Sequence, residues 1–530
     1  MTDFIGIDFG TSNCVVAGFD RQNKTCLVPL EGDSPQMRTT MFIKDEEDLH
    51  EHITDADIEL ARKAIILNIS QDKRRVQQEI NDIQINLKKH KLANSKYGEV
   101  LSQEHQNSYQ LLRDSLNRNK ASYKRLDDMG NNESLLDARA RRFALSTKSH
   151  KERTIKELIS NGEILFGQNA FRSYLADPES GSLFNSPKNF LGVRLSEQKR
   201  NTFTLVVTQF MRYIKQRADS YLQNDIKKVV LAKPVNYHNG GNPTGNEQAI
   251  HIMRQAAILA GFDEVEFIDE PVAAALSFEQ TLSTQKRALI VDIGGGTTDL
   301  TYANLGSSLS GVLDRSSDIL STAGGRFGGM ALDRQIGVHI IAPYFGKPTK
   351  TNAEIPIPNT TFSGLFAIDD LPTMSEFYSK QNTANLKALS KRVKNPHYFA
   401  RTLYVQRFRL SHRIMNSIDM TKQALSEKQS VTMPLNYIEK GLAIPLSNNE
   451  IQRAFTNWHG QLRKELDGVV KNKEVPELIF LTGGMSLSPL VQKAIASRFP
   501  NTPQIQSDAF GAVAKGALVY AELHFGNATN

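Results

Sequence analysis

The stretch from Ala288 to Leu300, ALIVDIGGGTTDL, leaves this chain little freedom in what it can fold into. An apolar run rich in β-branched residues meets Asp292, then Gly294, Gly295 and Gly296, then Thr297, Thr298 and Asp299. That order predicts a buried strand stopping in a tight turn. Glycines without a Cβ let backbone N–H groups crowd around an oxyanion, and Thr297 adds a hydroxyl, so the turn is suited to phosphate. Asp292, at the end of the strand, suits a hydrated Mg²⁺. A glycine turn that merely closes a hairpin would read the same, so a second copy decides the matter. Ile5, Ile7, Asp8, Phe9, Gly10, Thr11, Ser12 and Asn13 repeat the pattern, with Cys14 to Ala17 as the return strand. Two such turns, about 280 residues apart, predict two similarly built halves closing on one ligand. Neither ends in the Gly-Lys-Ser/Thr of a P-loop, and each returns as a strand, so that family of sites is excluded.

At 530 residues the chain is too long for one core. With 40% hydrophobic and 23% charged residues it has an ordinary globular balance. The opening MTDFIGIDFG enters a strand without a basic segment before it, so no signal or transit peptide is expected. Two cysteines only, Cys14 and Cys26, fit a reducing cytoplasm and are expected as free thiols, with a facing pair across the N-terminal hairpin as the alternative. The net charge of +7 is uneven: residues 71–150 hold 16 Lys and Arg against 10 Asp and Glu. A solvated helical insertion accounts for most such segments, and a docking surface for a protein is the functional alternative.

Along the chain, strands are expected to about residue 45, an acidic run at Asp45–Asp48, and a helical face from Ile58, Ala61, Ile65 and Ile66. Two stripes follow, Val76, Ile80, Ile83 and Leu87, then Val100, Leu101, Tyr109, Leu112 and Leu116, predicting a helical hairpin broken near Asn94–Gly98. It should end at Asp128–Asn132, before a basic tract at 139–151. Glu163–Phe166 reads as a strand, and Ser186-Pro-Lys-Asn-Phe-Leu-Gly192 places Lys188 in a loop. Helices are expected over Val206–Leu222 and Gln248–Ala260, the second closed by Gly261. The strand Val265–Ile268 delivers Asp269, Glu270 and Pro271 to a helix start, where acids and proline also serve ordinary capping. Ser321–Gly329 reads as a glycine loop, and Phe399–Leu425 as one helix carrying Asp419, Lys422 and Ser426 on one face. Ile479–Leu481 runs into Thr482-Gly483-Gly484, a strand–glycine–helix order that brings bare backbone against a flat base or sugar. An Ala- and Gly-rich helix closes the chain at Gly511–Leu523.

Together, Asp8-Phe-Gly-Thr-Ser12, Lys188, Asp269-Glu-Pro-Val-Ala-Ala-Ala275, Asp292–Asp299 and Thr482-Gly-Gly484 resemble the ATPase domain of the heat-shock-70 (DnaK) chaperones. Within that family the chain looks most like the short YegD-type proteins, which keep the ATPase without the peptide-binding domain. The resemblance implies an α/β, actin-like ATPase fold of two lobes, each a ribonuclease-H-like mixed sheet flanked by helices, with nucleotide in the cleft between them. Lobe I would be 1–285, with its core at 1–45 and about 198–285, and a peripheral part at about 46–197 holding the insertion at about 70–150. Lobe II would be 286–530, with its core at about 286–328 and 466–505 and a peripheral part at about 329–465; the helix at about 507–525 would return to lobe I.

The resemblance also implies roles. Asp8 and Asp292 would hold Mg²⁺ through water, with Glu270 ordering that hydration and the attacking water. Lys188 would reach the γ-phosphate. Gly10, Thr11, Ser12 and Asn13 would grip the phosphates with Gly294, Gly295, Gly296, Thr297 and Thr298, supported by Asp299. Asp419, Lys422, Ser426, Gly483 and Gly484 would surround the adenosine of ATP or ADP, and K⁺ is a further cofactor the family allows. Such a set suffices because phosphoanhydride hydrolysis needs charge neutralisation and an aligned water more than a strong base. Departures stand beside the matches. Leu487 and Gln423 replace basic residues expected at the adenine, Asp419 is shorter than the usual Glu, and Pro234 matches a coupling proline whose expected arginine partner is missing. The implied activity is a slow, Mg-dependent, cytoplasmic ATPase switch whose partners are other proteins, reached through the insertion, rather than membranes or nucleic acid. A filament-forming actin-like or MreB-like ATPase is the alternative, and a small-molecule kinase a weaker one.

Overall fold

The computed structural model describes residues 2–44, 55–97, 103–133, 136–137, 140, 155–178, 180–237, 243–279, 281–306, 309, 312, 315, 317–506 and 510–526. The chain divides into two compact units: residues 1–45, 155–435 and 443–530 form one, and residues 46–154 and 436–442 the other.

In the first unit, β1 (Phe4–Phe9) and β2 (Asn13–Phe19) form an antiparallel hairpin, and β3 (Thr25–Leu27) and β4 (Met37–Arg38) both pair with β2. A small separate sheet has β5 (Thr40–Lys44) between β6 (Glu163–Phe166) and β7 (Gly181–Asn185). Beyond β1 run β8 (Lys228–Lys233) and β9 (Glu264–Asp269), both parallel, giving the order β3-β2-β1-β8-β9. The second large sheet is built alike. β10 (Lys286–Ile293), β11 (Thr298–Leu305) and β12 (Ile319–Gly325) form an antiparallel meander. A two-stranded hairpin, β13 (Ser430–Pro434) with β14 (Ala443–Ser447), precedes the parallel strands β15 (Leu478–Thr482) and β16 (Gln504–Gln506), giving β12-β11-β10-β15-β16. Two sheets of one topology, each led by an Asp-ended hairpin, are what the repeated motif predicted.

β1 and β10 are continuously apolar rather than alternating because both faces of their sheets are covered. On one face of the first sheet Ile5, Ile7 and Phe9 pack with Phe210 and Ile214 of helix Glu197–Leu222 and with Ile252 and Met253 of helix Pro243–Ala260. A second core joins Phe4 and Val230 to Ile290 and Phe480 of the other sheet through helices Glu270–Glu279 and Ala512–Phe525. The last helix lies backbone to backbone on its neighbours: a Cβ on Gly6 would sit 2.3 Å from Leu518 N, and one on Gly516 1.6 Å from Ala273 O. Only glycine allows that approach.

The second unit carries two long helices, Asp55–Tyr97 and Gln103–Asn131, packed against each other. Lys73 pairs with Asp127 at 2.5 Å, and Val76 and Ile80 are buried, so the expected hairpin forms. Three details differ. The stripes at Ile58 and Val76 belong to one unbroken helix, Ile66 is 41% exposed and off the packed face, and the helix runs through Asp128 to Asn131. Asp45–Asp48, Val100, Leu101 and, apart from Ala140, the tract 139–151 lie outside the described residues.

Four other expectations change. Lys188 opens a one-turn helix, Lys188–Leu191, and is buried. Most of the glycine loop at 321–329 is strand β12. The helix expected over Phe399–Leu425 is two, Pro396–Arg407 and Ser411–Leu425, parted at Arg409, whose φ of 52° is left-handed. The β13–β14 hairpin and helix Asn448–Val469 had not been expected at all. Both cysteines are free, and Gly18 rather than Cys14 faces Cys26 across the hairpin.

Candidate functional site

The two glycine turns meet in one cleft of about 760 Å³. Asp8 and Asp292 hold equivalent places, each at the end of a central strand and in register with the neighbouring parallel strand, at Ala232 and Thr482. The turns touch. A Cβ on Gly295 would lie 1.8 Å from Ser12 Oγ, and one on Gly296 2.6 Å from Thr11 Oγ1 and 2.7 Å from Asn189 Oδ1. The N–H groups of Gly329 and Met330 fix the second turn by donating to Gly294 O (3.0 Å) and Gly295 O (2.7 Å). Among the described residues, no hydrogen bond uses the N–H of Thr11, Ser12, Gly295 or Gly296. Unspent amides on two facing turns form a nest for an anion.

Lys188 enters the cleft because Ser186, with a left-handed φ of 53°, and Pro187 turn the chain out of β7. The Ser186 N–H donates to Thr39 O at 2.8 Å, and Thr11 Oγ1 donates to Asn189 Oδ1 at 3.2 Å, which binds this segment to the first turn. The Lys188 ammonium donates to Glu270, which stands where β9 passes into its helix. Both side chains are buried, at 5% and 8% exposure.

Three buried carboxylates, Glu270, Asp292 and Asp299, and the half-buried Asp8 share that one ammonium among the described residues. Burial, and then the charge of Glu270, push Asp8 and Asp299 up to about 7. The same causes, with Asp8 and Asp299 added, hold Asp292 well above the usual carboxylate range. Burial works against the charge on Lys188, but Glu270 and Asp8 outweigh it and keep the ammonium protonated. The excess of negative charge calls for a cation, and hard carboxylate oxygens suit Mg²⁺. No three acidic, histidine or cysteine side chains among the described residues form a ready-made cage, so a metal held here would keep water ligands.

Asp419, Lys422 and Ser426 also line the cleft, from helix Ser411–Leu425, as do Gly483 and Gly484. Lys422 pairs with Asp333 at 2.8 Å and with Asp419 at 3.0 Å, and Gln423 donates to Asp419 at 3.0 Å. Burial pushes Asp333 up to about 7, since Lys422 is shared with Asp419. Gly483 has φ of 78°, and a Cβ there would lie 2.5 Å from Asp292 Oδ1. Thr298 and Asp299 stand behind the turn rather than on the cleft wall. The Thr298 hydroxyl donates to Phe327 O (3.1 Å), and Asp299 accepts from the N–H of Val235 (3.1 Å), next to Pro234. Sequence reasoning did not find Asn189, Asp333, Arg38 or Phe510, all but the first of which line the cleft. Arg38 could have been flagged, since it follows the first hairpin closely; its guanidinium lies 3.6 Å above the Phe171 ring and donates to Asn416 (3.3 Å).

Paired mixed sheets of one topology, with a glycine hairpin and an aspartate from each meeting in one cleft, define an actin-like ATPase fold. Residues 181–355 match the family model described as Hsp70 protein. Curated relatives include chaperone protein DnaK of Thermotoga neapolitana, 24% identical over 377 residues, or 70% of this chain and 53% of the relative. DnaK of Thermosipho melanesiensis is 23% identical over 386 residues, again 70% and 53%, and DnaK of Thermoplasma acidophilum 30% identical over 191 residues, 35% and 28%. The family-model match covers residues 181–355 only, and the relatives match part of the chain at low identity. The chain spans about half the length of the curated relatives it matches. Among the described residues no helix is long and apolar enough to cross a membrane.

Proposed function

We propose that the cleft binds MgATP and hydrolyses it slowly to ADP and phosphate, and that the nucleotide state switches the protein's hold on other proteins. The observation that carries the reading is the pairing of unspent amides on two facing turns with a carboxylate cluster short of positive charge. The amides of the turns at Gly10–Asn13 and Gly294–Thr297 would take the phosphate oxygens, and the Asp419–Lys422–Ser426 face with Gly483 and Gly484 the nucleoside. Asp8 and Asp292 would hold Mg²⁺ through water, with Glu270 beside them, and the ion would neutralise charge on the phosphates.

Lys188, already protonated, would face the γ-phosphoryl group and hold the attacking water on line. That water's oxygen forms a bond to the γ-phosphorus as the bridging bond to the β-phosphate oxygen breaks. ADP leaves, and the water's proton passes to an oxygen of the released phosphate while Glu270 accepts a hydrogen bond from the water and holds it on line. The lobe division at residues 285/286 and the likeness to short YegD-type proteins belong to the same proposal; the second rests on sequence resemblance alone. Protein partners are assigned to the insertion at 70–150. There Lys88, Lys89, Arg113, Lys120 and Lys124 are exposed and without an ion pair among the described residues, while Lys73 is paired. A phosphate-release assay tests the activity: turnover that needs Mg²⁺ and stops with EDTA supports it, and no release at micromolar protein contradicts it.

A further inference from the structure

Around the glycine pair Gly483-Gly484 the cleft changes character. Lys422 is held by Asp333 and Asp419, and Gln423 by Asp419, so the side chains best able to read the edge of a base are already engaged. Beside Ser426, Glu427 and Ser488, this part of the wall carries two large apolar side chains. Leu487 lines the cleft with 49% of its surface exposed, and Phe510 lines it beside the start of the last helix. The Phe510 ring rests against the glycine backbone, its Cε1 and Cζ 3.3 Å and 3.8 Å from where a Gly484 Cβ would be. A larger residue at 484 would press on that ring. A leucine and a phenylalanine facing the cleft are costly in water and favourable under a flat aromatic partner.

We infer that Phe510, with Leu487, is the platform on which the nucleobase stacks, and that the site selects purine nucleotides by stacking area rather than by hydrogen bonds to the base edge. The inference rests on the nucleotide reading given above. Stacking is tolerant of base identity because every base has a π-face, and a purine offers more of it than a pyrimidine. Adenine and guanine nucleotides should therefore bind alike, and Phe510 should matter for the base and not for the phosphates.

Calorimetric titration of wild-type, Phe510→Ala and Phe510→Trp protein with Mg²⁺ and ATP, GTP, CTP or inorganic tripolyphosphate tests this. The expected result is ATP and GTP within about tenfold of each other and CTP weaker. Phe510→Ala should lose about 5- to 150-fold for both purines, with tripolyphosphate unchanged and Phe510→Trp close to wild type. Wild-type affinity for ATP in Phe510→Ala would overturn the inference. So would an equal loss for tripolyphosphate, which marks damage to the whole cleft, or GTP binding more than about 100-fold weaker than ATP. Wild-type protein that binds tripolyphosphate but no nucleotide would overturn the base platform alone; protein that binds neither would overturn the nucleotide reading beneath it.

Discussion

Lys188→Met removes the one ammonium facing Asp8, Glu270, Asp292 and Asp299 and keeps most of the side-chain volume. The pair it breaks is buried, at 5% and 8% exposure, so the variant keeps a buried carboxylate without its partner, a loss of about 3–5 kcal/mol in such settings. The loss should depend on pH. Lys188 lowers the affinity of Asp8 and Asp299 for protons, and both already titrate at about 7, so without it they take protons more readily. Protonation removes the repulsion, which makes the deficit largest above pH 7 and smaller as pH falls below it. Function should divide the same way. Phosphate grip is spread over two turns, so ADP affinity should fall by less than about tenfold, while loss of a group that aligns the water should slow single-turnover hydrolysis by at least about 100-fold. Melting temperature against pH, read with quenched-flow hydrolysis, measures both. A deficit equal at pH 6 and pH 8.5, or unchanged turnover, would refute the reasoning.

Other expectations follow from particular contacts. Gly516→Ala would place a methyl group 1.6 Å from Ala273 O between two packed helices, so a loss of about 1–3 kcal/mol or more is expected, seen as a fall in melting temperature of several degrees. Unchanged melting would contradict that packing. Asp333, pushed up to about 7 from an ordinary 3.8, binds its proton more tightly folded than unfolded; its contribution to stability is present below about pH 4 and is lost as pH rises through about 7. Asp333→Asn should flatten the stability profile between those limits, and a profile as steep as wild type would remove Asp333 from that role.

Much of the site was legible because it is written in contiguous residues. Asp8 to Asn13 and Asp292 to Asp299 each make a strand end and a turn, so local spacing carries the geometry, and duplication supplied the architecture. Lys188 was legible as a candidate but not as a buried residue, since its orientation comes from the left-handed Ser186 and from hydrogen bonds to Thr39 and between Thr11 and Asn189, all distant in sequence or invisible in periodicity. Asp333 and Phe510 carry no local signal: one pairs across helices with Lys422, and the other meets the Gly484 backbone from a separate segment. The break at Arg409 was hidden because neither glycine nor proline marks it. The β13–β14 hairpin was missed for a different reason, its strands being half exposed and short, with Pro434 and Pro445 inside them.

The central claim is that two duplicated turns and their aspartates hold one nucleotide phosphate chain with its metal. Isothermal titration of MgADP into the folded protein tests it most directly when wild type is compared with Asp8→Asn and Asp292→Asn. The account predicts one site per chain in wild type and binding weakened at least about tenfold in either variant. No heat with folded wild-type protein, or equal affinity in all three, would contradict it.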